Sequence, residues 1–403
     1  MSNYNRAPES NQKKYHGYSL QLNRWFLILI GAWPQINASS KIFILIQVLF
    51  CWSVVASMTV PCLIYVLFEK ISIKTKLKAL GPLIHRAMGI VNYCVLLKRS
   101  GDISKLIRHM EADWSLIQKT DNCEVMLQHA KLGRFITIIC GVIMQGGVFL
   151  FSLARAMKTV PITVDNQTFM THPMTCPIYS KIIDTRFSPV NEVALALQFV
   201  SMFIMNCSSV GVCSLAAVFA IHACGQLNVL YAWLHKLVEE QEKSKQTTKR
   251  KLAAIVEHHL RVLSFVSLIE DIMNTVSLAQ LMGCTTVMCL IGYYMIMAWE
   301  TLDAANIISC VFTYLSYGFN IFIFCYIGEI VTEKCKYVGE MAYMTNWHDL
   351  HHKTARGLVL IILQSSNVVK ITAGKLINLS FITFGDVIKS SMVYLNILRA
   401  MTT

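Results

Sequence analysis

The chain has 403 residues, of which 55% are hydrophobic and 15% charged, and its formal net charge is +13. Soluble domains have about a quarter of their residues charged, so this composition excludes an ordinary soluble protein and indicates a core that lies in lipid. The basic residues are scattered between long apolar stretches, which argues against nucleic-acid binding despite the positive charge.

The amino-terminal segment, 1–39, has four basic residues around one short apolar patch at 25–31. This arrangement does not predict a cleavable signal peptide. We therefore expect insertion into the membrane to rely on the first span itself.

Seven apolar blocks follow, each long enough for a helix of about 20 residues to cross the hydrocarbon core of a bilayer. They are 40–68, 76–97, 132–157, 191–223, 277–299, 306–331 and 376–401. The second block is the weakest, because it contains His85 and Arg86. A further apolar run, 358–363, is too short to span and predicts a buried or re-entrant helical stretch. The predicted fold class is therefore all-α: a polytopic membrane protein with seven transmembrane helices.

The distribution of Lys and Arg predicts the orientation of these spans. With the amino terminus inside, 25 basic residues lie on the cytoplasmic side and 8 on the outer side. The positive-inside rule then places the amino terminus in the cytoplasm and the carboxyl terminus outside. Four lysines at 70–78 run against this rule.

Two other seven-span or polytopic classes fit less well. A G-protein-coupled receptor has its amino terminus outside, with an acidic-Arg-Tyr triplet after the third span and an Asn-Pro-x-x-Tyr run in the seventh. Here Leu153-Ala154-Arg155 closes the third span, and the seventh has no proline. A transporter would favour repeats or paired helices broken at membrane depth, which the sequence does not show.

The long loop 158–190 is predicted to lie outside. It contains the sequon Asn166-Gln167-Thr168, which makes Asn166 a glycosylation candidate. It also contains Cys176, while Cys62 lies near the outer end of the first span. The two cysteines are either bridged or free, and the sequence leaves both alternatives open.

The predicted cytoplasmic segments are amphipathic. Leu227, Leu230, Leu234 and Leu237 recur every three or four residues after the fourth span, and a similar period runs into the fifth. These apolar stripes need a partner. One interpretation is packing within the chain, and the other adds a subunit contact beneath the membrane, for which 332–372 is the best candidate.

No pattern of catalytic or metal-binding residues is present. The cluster His348-Asp349-Leu350-His351-His352 matches no standard zinc spacing, and the sequence has no phosphate-binding loop or nucleophile elbow. We therefore expect no enzyme activity, no cofactor and no metal.

The last span differs from the others, because it carries Asp386, Lys389 and Ser390 at membrane depth. Ionisable groups there are costly and normally face protein or water rather than lipid. The spacing alone leaves two interpretations open: contacts between helices or a water-lined pathway.

Several stretches of the second half carry a resemblance to a known family. The carboxyl-terminal stretch contains Ile371-Thr372-Ala373-Gly374-Lys375, Leu379-Ser380, Thr383-Phe384, Lys389, Ser391, Tyr394 and Leu398-Arg399. The others are Ser188-Pro189-Val190, His222-Ala223-Cys224-Gly225-Gln226-Leu227, Val256 with His259-Leu260, Tyr343 to Leu350, and Gln364-Ser365. These stretches resemble the insect odorant receptors over most of 186–403, while the first 150 residues match mainly in length and span layout.

The resemblance implies a tetramer around one pore, lined by the seventh span and held together by extended cytoplasmic helices that form an anchor domain. It implies a tuning subunit that binds a small volatile odorant and joins the odorant receptor co-receptor in a non-selective cation channel, in the plasma membrane of olfactory sensory neurons. A G-protein-coupled receptor or a homomeric channel stays as the alternative. The implied segments are a cytoplasmic 1–39, a ligand-binding bundle with extensions 40–331, an anchor 332–375 and a pore-lining span 376–403.

The same resemblance implies two sets of site residues. The odorant pocket would lie in the outer halves of the spans, where apolar and aromatic side chains suit a small ligand. Its candidates, each of which has the alternative of facing lipid or filling the core, are His85, Met88, Phe149, Phe199, Met202, Phe203, Tyr293 and Tyr294. In the seventh span, Asp386, Lys389 and Ser390 would line the pore, and Ile397 and Met401 would form its narrow outer end.

Overall fold

The computed structural model describes residues 9–34, 41–69, 72–117, 122–164, 167–179, 184–239, 245–300, 304–367 and 369–402. Within these ranges the chain forms ten α-helices and two small antiparallel hairpins. The helices are α1 (Glu9–Leu29), α2 (Lys41–Phe68), α3 (Ile73–Lys98), α4 (Ser100–Ile117), α5 (Cys123–Met157), α6 (Val190–Glu239), α7 (Lys245–Glu300), α8 (Ala304–Met344), α9 (His352–Ser366) and α10 (Phe381–Thr402). The strands are β1 (Val160–Val164), β2 (Gln167–Thr171), β3 (Thr372–Ala373) and β4 (Ile377–Asn378).

Seven of these helices are long and apolar enough to cross a membrane: α2, α3, α5, α6, α7, α8 and α10. Helices are the expected solution, because lipid offers no partner for backbone N–H and C=O groups and a helix satisfies them internally. The prediction of a seven-span helical membrane protein is confirmed.

Two short segments differ from the prediction. The seventh span begins at Phe381 rather than at residue 376, because β3 and β4 pair across a turn in which Gly374 and Lys375 have φ values of 62° and 60°. The predicted loop 158–190 contains the β1–β2 hairpin, and Asn166 lies outside the described residues. The domain boundaries stay a prediction, although α8 runs through residue 331 without a break.

Helix α6 forms the centre of the bundle. Its most apolar stretch is completely buried, and it contacts α1, α2, α3, α5, α7 and α8. Because α6 is enclosed by protein, it carries polar side chains that pair within the membrane. Asn92 on α3 donates to the Ser209 hydroxyl at 2.9 Å, and Asn23 on α1 donates to the Ser214 hydroxyl at 2.8 Å.

The bundle is extended at the end where α6 finishes and α7 starts, because both helices are longer than a bilayer crossing requires. Helices α6 and α7 have 50 and 56 residues, which makes them about 75 and 84 Å long at 1.5 Å per residue. We call this extension the stem: α4, α9, and residues 224–239, 245–276 and 332–344. The opposite side, which carries residues 158–189 between α5 and α6, is called the loop end.

The predicted apolar stripe of α6 packs inside the stem. Leu227, Leu230, Leu234 and Leu237 are all buried, as the interpretation of packing within the chain requires. Helix α9 is different, because it buries Leu358 but exposes a second apolar face made of Val359, Leu360 and Leu363. The run 358–363 is therefore part of an amphipathic helix.

An ion cluster around the buried Asp113 carboxylate links α4, α6 and α7 near the start of the stem. The Arg261 Nη2 atom lies 2.8 Å from Oδ1 of Asp113, and the His222 Nε2 atom lies 3.0 Å from its Oδ2. The His109 Nδ1 atom is 3.2 Å from the same Oδ2. Burial raises the pKa of Asp113, but its hydrogen bonds to His109 and His222 outweigh burial and hold that pKa below its ordinary value.

Replacing this carboxylate is expected to destabilise the stem. In Asp113→Asn the Arg261 cation loses its charge partner. Because the Arg261 side chain is 32% exposed, we expect a loss of about 1–3 kcal/mol, between the values for exposed and fully buried pairs. Thermal unfolding of the detergent-solubilised protein measures the loss. Asp102→Asn is the matched control, since Asp102 pairs with Arg99 and Lys105 at the surface of the same helix, and its unfolding temperature should match the wild type. Equal melting of the two variants would contradict this role of Asp113.

Candidate ligand site and pore helix

A polar contact lies in the membrane between α3 and α8. The His85 Nδ1 atom is 2.8 Å from the Tyr317 hydroxyl, and the two rings meet edge to face at 5.9 Å. His85 is buried, and its Nε2 atom has no partner among the described residues. A buried imidazole nitrogen without a partner is costly, so this atom is suited to a hydrogen bond with a bound molecule.

Glycine allows α3 to pack tightly at this position. The Met88 side chain, one turn from His85, lies against Gly283 of α7, where a Cβ atom would overlap the Met88 sulfur. On the same helix, Gly89 leaves room for Met205 of α6, whose Cβ would lie 2.6 Å from an added Cβ. Met88 therefore lies between α3 and α7, close to the histidine.

A pair of tyrosines on α7 lies nearer the loop end. The rings of Tyr293 and Tyr294 are 6.0 Å apart, and the Tyr294 hydroxyl donates to the carbonyl of Leu77 on α3. Tyr293 is buried, and its hydroxyl has no partner among the described residues. Of the other predicted pocket residues, Met202 is buried, Phe199 is half-buried, and Phe149 and Phe203 are 65% and 48% exposed. The two exposed rings face away from the packed interior, and the whole set stays a prediction.

The α8 side of this site was not predicted from the sequence. Tyr314 and Tyr317 are three residues apart and so lie on one helix face. Tyr317 contacts His85, and the Tyr314 hydroxyl is buried without a partner in the part of the chain that the structure describes. Two tyrosines at helical spacing in an apolar span were the available signal.

An apolar cavity of about 560 Å³ lies between α7, α8 and α10. This volume is in the range of small-molecule sites. Its lining residues are Met288, Gly292, Met295, Ile296, Ile307, Val311, Tyr314, Ser391, Met392 and Leu395. Tyr314 thus belongs both to the tyrosine face of α8 and to a cavity that reaches α10.

Helix α10 packs on α7 and α8 with one side only. Val387 and Ser391 are buried, and Leu395 lies so close to Gly292 that an added Cβ there would be 3.0 Å from it. Only 11% of the apolar stretch of α10 is buried, the lowest share among the seven spans. Most of this helix therefore has no packing partner among the described residues.

The exposed side of α10 forms a continuous stripe, which we call the α10 stripe. Its residues recur every three or four positions and are Ile382, Asp386, Lys389, Val393 and Ile397. The Asp386 and Lys389 side chains are 64% and 81% exposed, and their charged atoms are 3.9 Å apart. Ser390 is half-buried beside the stripe, and the side chain of Met401 lies outside the described residues.

The start of α10 is attached to α8. The backbone N–H of Phe381 donates to the Glu329 carboxylate at 3.1 Å. Next to it, Gly328 touches the backbone of Leu379 so closely that an added Cβ would overlap the Leu379 carbonyl oxygen. Helix α8 therefore contacts both the His85 site, through Tyr317, and the first turn of α10.

A sequence profile of the 7tm Odorant receptor family matches residues 72–392. The chain belongs to the odorant receptor family. This membership confirms the predicted resemblance and the prediction that the chain is a receptor rather than an enzyme.

Relatives of this odorant receptor are divergent in sequence. It is 22% identical to Odorant receptor 82a of Drosophila melanogaster over 373 residues, which cover 89% of this chain and 93% of the relative. It is 24% identical to Odorant receptor 85c of the same species over 178 residues, 44% of this chain and 45% of the relative. The chain thus spans about half the length of some relatives it matches. It is also 26% identical over 145 residues to the Odorant receptor coreceptor of Anopheles gambiae, covering 36% of this chain and 30% of that relative.

The fold is shared with a solved structure, the insect olfactory receptor OR5 from Machilis hrabei in complex with eugenol. The TM-score is 0.79 at 13% sequence identity, and the match covers 97% of this odorant receptor and 100% of that chain. The structure of the same receptor described without eugenol gives a TM-score of 0.74. At this identity the likeness concerns the fold alone.

Proposed function

We propose that this odorant receptor is the odorant-binding subunit of a ligand-gated, non-selective cation channel. The α10 stripe carries the proposal, because it presents Asp386 and Lys389 from a membrane-spanning helix with most of their side chains exposed. Charged side chains at membrane depth face protein or water rather than lipid. A water-filled pore lined by α10 satisfies this requirement.

One helix cannot enclose a pore, so further chains are needed to complete it. We propose a tetramer in which this receptor joins the odorant receptor co-receptor. The likeness to the Odorant receptor coreceptor of Anopheles gambiae supports a common architecture for the two kinds of subunit. The exposed face of α9, formed by Val359, Leu360 and Leu363, is suited to contact between subunits within the proposed anchor segment, 332–375.

The proposed ligand is a small, mostly apolar volatile molecule. His85 and Tyr293 each have a buried polar atom without a partner among the described residues, and Met88, one turn from His85 on α3, supplies apolar surface beside the histidine. The relative from Machilis hrabei was solved with eugenol, a molecule of this chemical kind. Odorant binding must favour the open state over the closed state in order to gate the channel, because a ligand shifts an equilibrium only by its differential affinity.

The charge distribution supports an orientation with the stem in the cytoplasm and the loop end outside. The 25 basic residues on the stem side and the 8 on the other side fit the positive-inside rule. In this orientation Asn166 is accessible for glycosylation, and the carboxyl terminus is extracellular. The proposed location is the plasma membrane of olfactory sensory neurons.

Current recorded from cells that express the receptor with and without a co-receptor tests this function. We expect fast odorant-evoked cation current that needs the co-receptor and persists when G-protein signalling is blocked. An epitope after Thr403 should be stained on intact cells, and one before Met1 only after permeabilisation. Slow responses abolished by the block, with the opposite staining, would favour a G-protein-coupled receptor. Current without the co-receptor would favour a homomeric channel.

A further inference from the structure

The loop between α5 and α6 is fastened to α6 by buried amide side chains. The Oδ1 atom of Asn191 accepts the backbone N–H of His172 at 3.0 Å, and its Nδ2 atom donates to the carbonyls of His172 and Thr185 at 3.2 and 2.9 Å. Asn191 is buried although it lies in the first turn of α6. This part of the loop is therefore docked on the bundle rather than extended into solvent.

Gln198 makes the same kind of contact two turns further along α6. Its Oε1 atom accepts the backbone N–H groups of Thr175 and Cys176 at 3.1 and 3.2 Å, and its Nε2 atom donates to the Cys176 carbonyl at 2.6 Å. Gln198 is completely buried. A residue whose N–H and C=O are both bound to one buried amide has little freedom to move, so the backbone of Cys176 is fixed in place.

The fixed position brings the Cys176 thiol to Cys62 of α2. The hydrogen bond from Cys62 lowers the pKa of Cys176, and the positive charge of the nearby Arg86 lowers it further. Neither cysteine has any exposed surface, and both are free thiols in the structure. They are 114 positions apart in the chain, but Met58, one turn before Cys62 on α2, and Ile178, two residues after Cys176 in the loop, lie in one buried apolar cluster, which brings the two thiols close together.

We infer that Cys62 and Cys176 form a disulfide that ties the loop between α5 and α6 to the first span. The inference rests on the proposed orientation, which exposes this loop to the oxidising secretory lumen before folding is complete. The two S–H bonds break and one S–S bond forms. The two electrons and two protons pass to a disulfide-bearing thiol oxidoreductase of that compartment, whose own S–S bond is reduced to a dithiol.

A second cysteine pair provides a matched comparison. The sulfur atoms of Cys140 and Cys213 lie 4.0 Å apart between α5 and α6, and both residues are completely buried. This pair lies within two transmembrane helices rather than in a lumenal loop. A soluble oxidoreductase does not reach it there, and it stays reduced.

Counting reducible thiols in the full-length receptor tests the inference. Membranes from expressing cells are denatured in detergent with N-ethylmaleimide, which blocks free thiols, and are then reduced and labelled with a polyethylene-glycol maleimide. Of the 14 cysteines, two should take the large label in the wild type, and none without reduction. Cys62→Ser and Cys176→Ser should each lose both labels, whereas Cys140→Ser and Cys213→Ser should keep them.

The decisive readout comes from the wild type and does not depend on the folding of any variant. Absence of reduction-dependent labels, while the Thr403 epitope is stained on intact cells, would overturn the disulfide and leave the proposed orientation standing. Absence of labels with that epitope inside the cell would overturn both. Two labels that survive Cys62→Ser but disappear in Cys140→Ser would assign the bond to the membrane pair and overturn the inference.

Discussion

Replacing Ile397 by serine is expected to raise the ligand-free current by roughly tenfold. Ile397 lies on the α10 stripe and is 52% exposed within the chain, so it is positioned to face a pore. A narrow apolar constriction closes a pore by excluding water. Moving an isoleucine side chain from water into an apolar environment is favourable by about 1.5–3 kcal/mol. Losing about half of this free energy, near 1.4 kcal/mol, corresponds to a factor of ten in the equilibrium between the closed and open states.

The neighbouring Leu395 is the matched control for this prediction. It lies two residues away on the opposite face, packed against Gly292, so Leu395→Ser should weaken packing with α7 without admitting water to the proposed pore. Basal current and relative permeability, recorded at equal surface expression, separate the two variants. His85→Phe should instead shift the odorant dose–response with little change in ion selectivity. If Leu395→Ser changed basal current and permeability while Ile397→Ser did not, the proposed register of α10 would be wrong.

The spacing of the charged residues on α10 is a feature that the sequence predicts well. Asp386 and Lys389 at three-residue spacing indicated a shared helix face, and the structure places both on the exposed stripe. The seven spans were likewise predictable, because hydropathy over about 20 residues is a local property that the membrane itself selects.

The start of α10 was not predictable in the same way. Residues 372–378 form a hairpin with two residues in each strand, which is too short for any periodic signal. The hairpin is held by distant residues: the Glu270 carboxylate accepts from the backbone N–H of Thr372 at 2.8 Å, and the carbonyl of Asn274 accepts from Gly374 at 2.8 Å. The contact between His85 and Tyr317 was unpredictable for the same reason, because it joins residues that are 232 positions apart in the chain.

The Gly328→Ala receptor is expected to lose at least about four-fifths of its odorant-evoked current. Gly328 lies on α8 about 16 Å along the helix from Tyr317, which is 11 residues or about three turns away and therefore on the same face. Tyr317 contacts His85 in the proposed ligand site, whereas Gly328 contacts Leu379 immediately before α10. A single helix face thus connects the ligand site to the start of the proposed pore helix.

The added methyl group acts at the second of these contacts. It would overlap the Leu379 carbonyl oxygen and lie 2.6 Å from the Leu379 Cβ, and neither atom can move without moving the backbone. That backbone is itself held, because the N–H of Leu379 donates to the carbonyl of Ile371 at 2.9 Å. Overpacking of this kind costs about 1–3 kcal/mol, which is roughly a five- to hundredfold change in an equilibrium constant.

Gly318→Ala is the control on the same helix, one residue from Tyr317. Its added methyl would meet only the end of the flexible Met288 side chain, at the ordinary contact distance of 3.8 Å, so evoked current should match the wild type. Whole-cell current normalised to surface expression gives the comparison, and an unchanged odorant concentration at half-maximal response in Gly328→Ala would place the defect after binding. Wild-type current from Gly328→Ala would show that the signal does not pass through this contact. The position of α10 would then depend on its contact with α7, where Leu395 lies against Gly292 beside the apolar cavity.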